Sequence, residues 1–158
     1  VDMIYTHVID ELKKIDESNL DITATFAMIK RSYIRYLDNK INDMNITSGE
    51  VPFLFVLNEH DKITQKELSD SLRTSEGLTT RVLKSIEEKG YVTREVDEKN
   101  KRRKIITITP KGQESATKIK KYQKEWENEV FEFLTDNEFK EFKSILKNSL
   151  IKSIEMEK

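Results

Sequence analysis

Apolar residues recur at steps of three and four along most of the chain, the spacing that places them on one face of an α-helix. One such stripe runs from Ile4 to Ile15, and a longer one runs from Ile22 to Met44. Two more follow near the end of the sequence, from Tyr122 to Phe133 and from Phe139 to Ile154. The pattern predicts long amphipathic helices on both sides of the centre.

The centre of the chain has a different period. Residues 91–96 and 104–109 alternate apolar and polar positions, which is typical of short strands. Two short helices precede them, the first with Leu68 and Leu72 facing inward and the second with Leu83 and Ile86 doing so. The order helix, turn, helix, strand, loop, strand predicts a winged helix-turn-helix. The whole chain is then mainly α with a small β-hairpin wing, an α+β fold.

Hydroxyl residues mark the predicted helix starts. A Thr followed three residues later by Glu can form a capping box, in which each side chain accepts from the other residue's backbone amide. Ser75 can cap the second central helix, Gly90 can end it, and Thr109 with Pro110 can start the next one. The three predicted capping boxes are Thr47 with Glu50, Thr64 with Glu67, and Thr135 with Glu138.

Charge is distributed unevenly, although 28 basic and 29 acidic residues leave a formal net charge of only −1. Residues 73–104 hold ten basic and six acidic residues, so the rest of the chain is acidic. Five of the six residues from Lys99 to Lys104, in the loop between the two strands, are basic. A basic segment on an acidic body fits a protein that binds double-stranded DNA. Chance clustering on a lysine-rich surface is the alternative.

The predicted DNA contacts lie on the outer face of the second central helix and on the hairpin. Arg81 and Lys84 can reach bases or phosphates, and the small Gly77 lets the backbone approach a phosphate. The first central helix can offer amides at Thr64 and Gln65. The predicted DNA-binding residues are Thr64, Gln65, Ser75, Gly77, Leu78, Thr80, Arg81, Lys84, Arg94, Lys99, Lys101, Arg102 and Arg103.

Several of these residues have a second interpretation. Arg81 could instead form a salt bridge with Glu76 or Glu88, and Leu78 could pack against a neighbouring helix rather than a thymine methyl. Glu76 suits the positive end of a helix dipole, but near DNA it would repel phosphate unless it accepted from a cytosine amine.

Other classes of chemistry lack support in the sequence. The chain has no cysteine, and His7 and His60 are too far apart to suggest a metal site. It shows no phosphate loop, nucleophile elbow or histidine–carboxylate arrangement, so we expect no enzyme activity, cofactor or metal. No apolar run is long enough to span a membrane and no signal-peptide pattern is visible, so we expect a cytoplasmic protein.

The terminal helices carry large aromatic residues with little of their own chain to cover them. A second copy of the chain could cover them in a homodimer, or they could fold back as one bundle. The first arrangement predicts N-terminal dimerisation helices over residues 1–45, a winged helix-turn-helix over 46–112 and C-terminal dimerisation helices over 113–158.

Taken together, the central residues resemble the multiple antibiotic resistance regulator (MarR) family of winged-helix transcription factors. The matching order begins with Ile46-Thr47 and continues through residues 64–68, 79–83 and 86–94. It ends with Lys101-Arg102 and Ile108-Thr109-Pro110-Lys111-Gly112.

The resemblance implies a homodimeric transcriptional regulator, a repressor, that binds pseudo-palindromic promoter DNA. It implies that Arg102 enters the minor groove. Three residues depart from the family pattern: Asn100 stands where an acidic residue often orients the hairpin, Glu76 where Lys or Arg is frequent, and Leu78 where a hydroxyl is frequent. The departures at Glu76 and Leu78 keep open an alternative, a winged-helix protein-interaction module without a specific operator.

The resemblance also implies an effector cleft, often for a small aromatic or phenolic acid. An apolar cleft with polar tips and a cation for a carboxylate would suit such a ligand. The alternative is that these residues are plain dimer core. Arg35 could hold the carboxylate in place of Arg31. The predicted pocket residues are Met28, Arg31, Tyr33, Tyr36 and Phe53.

Overall fold

A computed structural model describes the backbone of residues 2–158 and the side chains of residues 7–158. Within that range the chain is mostly helical, with a small antiparallel sheet, as the sequence pattern predicts. The elements are α1 (Asp2–Lys13), a 3₁₀ turn (Glu17–Asn19), α2 (Ile22–Ile41), α3 (Val51–Asn58), β1 (Ile63–Thr64), α4 (Gln65–Leu72), α5 (Glu76–Glu88), β2 (Val92–Val96), β3 (Lys104–Ile108), α6 (Pro110–Val130) and α7 (Asp136–Glu155).

The three strands form a sheet in the order β1-β3-β2, with both neighbouring pairs antiparallel. Ile63 pairs with Ile106, and Val92 pairs with Ile108. Because alternate residues of a strand face the same side of a sheet, these side chains share one face. All four are buried. The predicted strands are confirmed with their outer ends one residue shorter, and the sheet carries the hairpin loop of residues 97–103 away from the core.

The core of the central region lies between α3, α4, α5, α6 and the sheet. Its largest side chains are completely shielded from solvent, and each fully buried Leu or Ile contributes about 1.5–3 kcal/mol relative to an exposed one. This core fixes the helix pair and the hairpin in one frame. Its fully buried aliphatic residues include Leu54, Leu57, Leu68, Leu83, Ile86, Ile106 and Ile119.

Two of the three predicted capping boxes form, at Thr64 with Glu67 and at Thr135 with Glu138. The third prediction, at Thr47, is wrong. The amide of Glu50 donates to the Thr47 carbonyl (3.0 Å) rather than to its hydroxyl, and α3 begins only at Val51. The Glu50 carboxylate still accepts from the Thr47 amide at 3.1 Å, but it is also drawn toward α5, as described below.

Two glycines occupy positions where a side chain would be costly. Gly90 follows α5 with φ of +82°, the left-handed conformation predicted at the end of this helix. Gly112 lies in the first turn of α6, packed against the sheet. A Cβ there would lie 2.6 Å from Ile108 Cγ1 and closer still to the Tyr91 carbonyl oxygen. Glycine at 112 therefore allows α6 to contact the start of β2 directly.

The described chain divides into two compact units, one that ends at Tyr36 and one that spans Leu37–Lys158. In the first unit, apolar side chains such as Leu12, Ile22 and Phe26 are exposed, and in the second, Leu150 and Phe133 are exposed. The division into 1–45, 46–112 and 113–158 stays a prediction. Across residues 2–158, no helix is long and apolar enough to cross a membrane.

Candidate nucleic-acid interface

The helix-turn-helix is held by caps and by a buried pair of hydroxyls. The Thr64 hydroxyl accepts from the Glu67 amide at the start of α4, and the Ser75 hydroxyl accepts from the Leu78 amide at the start of α5. Between the helices, Ser69 Oγ lies 2.8 Å from Thr79 Oγ1, and both residues are buried. The Thr79 hydroxyl also bonds to the Ser75 carbonyl at 3.0 Å. Because a buried polar group without a partner is costly, this network favours one crossing of α4 and α5.

The outer face of α5 is available to a ligand. Thr79, Leu83 and Ile86 are shielded, while Arg81 and Lys84 on the opposite side are exposed. Within the described residues neither Arg81 nor Lys84 has an acidic partner within 4 Å, so the alternative of an Arg81 salt bridge is not formed. Both cations are therefore free to meet an external anion.

Thr80 is less free than its exposure suggests. Its hydroxyl donates to the Glu76 carbonyl at 2.8 Å and accepts from the Gln65 side-chain amide at 2.7 Å. The second amide proton of Gln65 remains for another acceptor. This chain of bonds links α4 to the first turns of α5 on the outer surface. Thr80 and Gln65 can thus act together on a ligand.

The hairpin loop is shaped by two side chains that accept from the backbone. Asp97 Oδ1 accepts from the Lys99 amide at 3.0 Å, and Asn100 Oδ1 accepts from the Arg102 amide at 3.1 Å. The Asp97 amide donates to the Arg103 carbonyl at 2.9 Å, which closes the loop. Asx turns of this kind fix a loop without a salt bridge. The loop is therefore ordered although Asn100 lacks the charge that the family pattern often has there.

The helix pair and the hairpin enclose a cleft of about 420 Å³. Four of its lining residues are basic and one, Glu76, is acidic, so the cleft favours an anion. It contains five of the predicted DNA-binding residues, contributed by β1, α4, α5 and the hairpin. The lining residues are Thr64, Gln65, Lys66, Glu76, Thr80, Arg102, Arg103 and Lys104.

The other predicted DNA-binding residues lie around this cleft or away from it. Leu78 and Arg81 line a second groove of about 300 Å³ beside the loop that precedes α3, and Leu78 is 38% exposed. Arg94 is half-buried and pairs with Glu87, with 2.6 Å from Arg94 Nε to Glu87 Oε2. A DNA contact of Arg94 would have to share or break this pair. The exposed residues outside both grooves are Ser75, Gly77, Lys84, Lys99 and Lys101.

One predicted contact needs a correction. The backbone amide of Thr64 is not available to a phosphate, because it donates to Glu67 Oε2 at 2.8 Å. The same capping box holds the pKa of Glu67 below its ordinary value, chiefly through bonds from the Thr64 amide and hydroxyl. Any contact from Thr64 must come from its hydroxyl.

A buried charged cluster behind α5 was not found from the sequence. The Glu50 carboxylate is almost fully buried and accepts from the Ser85 hydroxyl at 2.7 Å and from Lys89 Nζ at 2.9 Å. Burial raises the pKa of Glu50, but the bonds from Ser85, Lys89 and Thr47 outweigh it and leave this pKa below its ordinary value. Ser85 and Lys89 are 35 and 39 residues from Glu50, so no local spacing in the sequence reveals these two partners.

The loop before α3 is tied to the same region. The Tyr91 hydroxyl donates to the Met44 carbonyl at 2.6 Å, and burial raises the pKa of this hydroxyl, with Glu50 adding to the shift. The C-terminal end of α5 is therefore fastened to residues that precede α3 in the chain.

The fold matches that of known regulators. A MarR transcriptional regulator from Methanosarcina mazei Go1 is 30% identical to this chain and superimposes with a TM-score of 0.80, covering 85% of this chain and 97% of its own. The profile of the MarR family matches residues 46–104, which contain the cleft. The chain belongs to the MarR family.

Curated relatives of this MarR-family chain are transcriptional regulators. The HTH-type transcriptional regulator BilQ of Clostridium symbiosum is 24% identical over 119 residues, covering 75% of this chain and 83% of BilQ. The organic hydroperoxide resistance transcriptional regulator of Bacillus subtilis is 28% identical over 101 residues, covering 63% and 69%. The solved complex of Staphylococcus aureus MepR with DNA has the same fold, with a TM-score of 0.78 at 24% identity.

Membership in the MarR family confirms the winged helix-turn-helix and a DNA-binding transcriptional regulator rather than an enzyme. Among the described residues, no group of three or more His, Asp or Glu side chains could hold a metal ion.

The predicted effector residues of this MarR-family chain stay a prediction. In the first unit, Met28 and Arg31 are exposed, while Tyr33 and Tyr36 are half-buried. In the second unit, Phe53 is 4% exposed and belongs to the core around α3.

Proposed function

We propose that this MarR-family chain is a homodimeric repressor that binds pseudo-palindromic promoter DNA, with α5 in the major groove and Arg102 of the hairpin in the adjacent minor groove. The DNA-binding class follows from the family, and the placement of individual residues is our proposal. In a twofold dimer the two copies of α5 would meet half-sites about one helical turn apart.

The observation that carries the proposal is the cleft between α4, α5 and the hairpin. Lys66, Arg102, Arg103 and Lys104 surround it, and each side chain is exposed. A phosphate backbone entering this cleft would have the outer face of α5 on one side and the hairpin on the other. Backbone contacts of this type set the position of a protein on DNA, and the side chains of α5 would then read bases.

The dimer accounts for the apolar residues left exposed at both ends of the chain. On α1 and α2 these include Leu12 and Phe26, and on α7 they include Leu150 and Ile151. A second copy is the simplest cover for them. Light scattering should give twice the chain mass of 18.6 kDa. A single-chain mass at micromolar concentration would contradict the dimer.

Selection from a random DNA pool, followed by gel shift, tests operator binding. The selected sequences should contain an inverted repeat and outcompete random DNA. The logarithm of the affinity should fall linearly with that of the salt concentration, by about 0.9 per phosphate neutralised. A protein-interaction module without an operator would yield no enriched motif.

Replacing Arg102 tests the placement of the hairpin. Arg102→Ala should weaken binding to the selected site by at least about tenfold, because a charge-assisted contact contributes about 1.5–3 kcal/mol. The salt slope should drop by about one per subunit. Lys124→Ala is the control. It removes a charge of the same sign about 21 Å from the start of α6, and it should leave the affinity unchanged. Equal effects of the two changes would contradict the minor-groove assignment.

The proposal extends to a small aromatic or phenolic acid as effector, supported by the family alone. Such a ligand can release DNA only if it binds one conformation of the dimer more tightly than the other. Adding 4-hydroxybenzoate should then weaken the gel shift, and Arg31→Ala should abolish the response. Cyclohexanecarboxylate, which has the same charge but no aromatic ring, is the matched control. No response to 4-hydroxybenzoate would leave this ligand class without support.

A further inference from the structure

We infer that Glu76 is a specificity-determining residue, which selects a cytosine in the major groove at the N-terminal end of α5. The inference rests on the proposed placement of α5 on DNA. It starts from an anomaly of the cleft, where a single carboxylate stands among four basic side chains.

No hydrogen bond or ion pair among the described residues uses the Glu76 carboxylate. Ser75, not Glu76, caps α5 by accepting from the Leu78 amide at 3.1 Å. Glu76 takes part through its backbone carbonyl, which accepts from the Thr80 hydroxyl. Throughout the described residues, its carboxylate has no hydrogen-bond partner and no basic group within 4 Å. Its remaining local role is a modest interaction with the helix dipole.

The position of Glu76 is one from which bases are read. It is the first residue of α5, it is exposed, and it lies one turn before Thr80 on the same side of the helix. In helix-turn-helix proteins the N-terminal residues of the second helix contact base edges. Glu76 borders the cleft, so its side chain would lie between the groove floor and the phosphate backbone.

The chemistry of a carboxylate limits what Glu76 can meet there. An ionised carboxylate only accepts hydrogen bonds, so phosphates, guanine O6 and N7, and thymine O4 would all repel it. The donors in the major groove are the cytosine N4 amine and the adenine N6 amine. The adenine amine lies beside the N7 acceptor of the same base, which a carboxylate would also approach. Cytosine presents its amine without an acceptor on the same base, and it is therefore the favoured partner.

The test compares the base preferences of the unsubstituted chain and of Glu76→Gln by selection from a random pool and gel shift on single-base operator variants. The wild type should prefer cytosine at one position of each half-site by about fivefold or more. Glu76→Gln should lose this preference or transfer it to adenine, which glutamine can pair with, while the preferences elsewhere persist. Its binding to random DNA should strengthen, since a like charge facing phosphate is removed.

Glu88→Gln is the matched control, because it makes the same charge change on the same helix about 18 Å away. It should leave the cytosine preference intact. Thermal unfolding should show that both variants are folded. If Glu76→Gln keeps every base preference and only strengthens binding uniformly, Glu76 acts through charge alone and the inference is wrong. If the wild type enriches no motif, the proposed function fails instead.

Discussion

At the residue scale, two glycines in the first turns of α5 and α6 have opposite surroundings. A Cβ added to Gly112 would collide with the Tyr91 carbonyl and with Ile108, while a Cβ added to Gly77 would meet nothing within 4 Å. The sequence pattern predicts a close approach of DNA at Gly77, but it indicates no packing role for Gly112. Tight packing between α6 and the start of β2 involves residues about 20 positions apart, which periodicity does not reveal.

Gly112→Ala should destabilise the folded protein by about 1–3 kcal/mol or more, because the backbone of Tyr91 must move to admit the methyl group. Urea unfolding followed by circular dichroism measures the loss. Gly49→Ala is the control, since its nearest neighbour would be 3.9 Å from the new Cβ. Equal stability of the two variants would mean that α6 and β2 separate at little cost.

Gly77→Ala should raise the free energy of unfolding by up to about 1 kcal/mol, because alanine favours a helix more than glycine does and space is available. Operator affinity should fall nonetheless, if the backbone at this turn approaches a phosphate closely. Unfolding and gel shift on the same preparation separate the two effects. Unchanged affinity would identify Gly77 as a tolerated poor helix former.

At the element scale, boundaries followed from the sequence wherever a local rule decided them. The Thr64 and Thr135 capping boxes, the Ser75 cap and Gly90 all form as predicted. The Thr47 prediction failed in one half only, because the Glu50 amide donates to the Thr47 carbonyl and not to its hydroxyl, while the Glu50 carboxylate still accepts from the Thr47 amide. The sequence predicts the hairpin loop as a basic segment. Its internal order depends on hydrogen bonds from backbone amides to the Asp97 and Asn100 side chains, which the charge pattern does not show.

Asn100→Ala should loosen the hairpin tip without unfolding the domain, because it removes the acceptor of the Arg102 amide, a bond that contributes about 0.5–1.5 kcal/mol. Faster hydrogen exchange at Arg102 and weaker operator binding are the expected results. Asn100→Asp keeps an acceptor and should preserve slow exchange. Glu98→Ala, at a neighbouring loop position, should leave exchange at Arg102 unchanged, and acceleration there would point to a general loss of order.

At the scale of the whole molecule, α5 is tied to the loop before α3 through the bonds of Glu50 to Ser85 and Lys89. Lys89 Nζ lies 2.9 Å from Glu50 Oε1, and the Lys89 side chain is only 21% exposed. The family and the architecture could be predicted from the order of elements. The bonds from Glu50 to Ser85 and Lys89 could not be predicted, because an acidic residue three positions after a threonine indicates a local helix cap.

Glu50→Gln should lower the free energy of unfolding at neutral pH by about 1–3 kcal/mol, since Lys89 loses its buried partner. The pKa of Glu50 is lower in the folded state than its ordinary value near 4.5, so its contribution is present above that pH. It is lost as the pH falls through the folded-state value. The stability gap between wild type and variant should therefore close in acid. Ser85→Ala, which keeps the ion pair, should cost less, and a gap independent of pH would contradict the assignment.

The two anchors of α5 have a consequence for how such regulators diversify. Ser69 holds the helix near its start and Glu50 holds it near its end, both from the inner side. The outward residues Gly77, Arg81 and Lys84 contribute to neither anchor. After gene duplication, a copy can therefore accumulate changes on this outward strip and acquire a new set of target promoters while its scaffold stays intact.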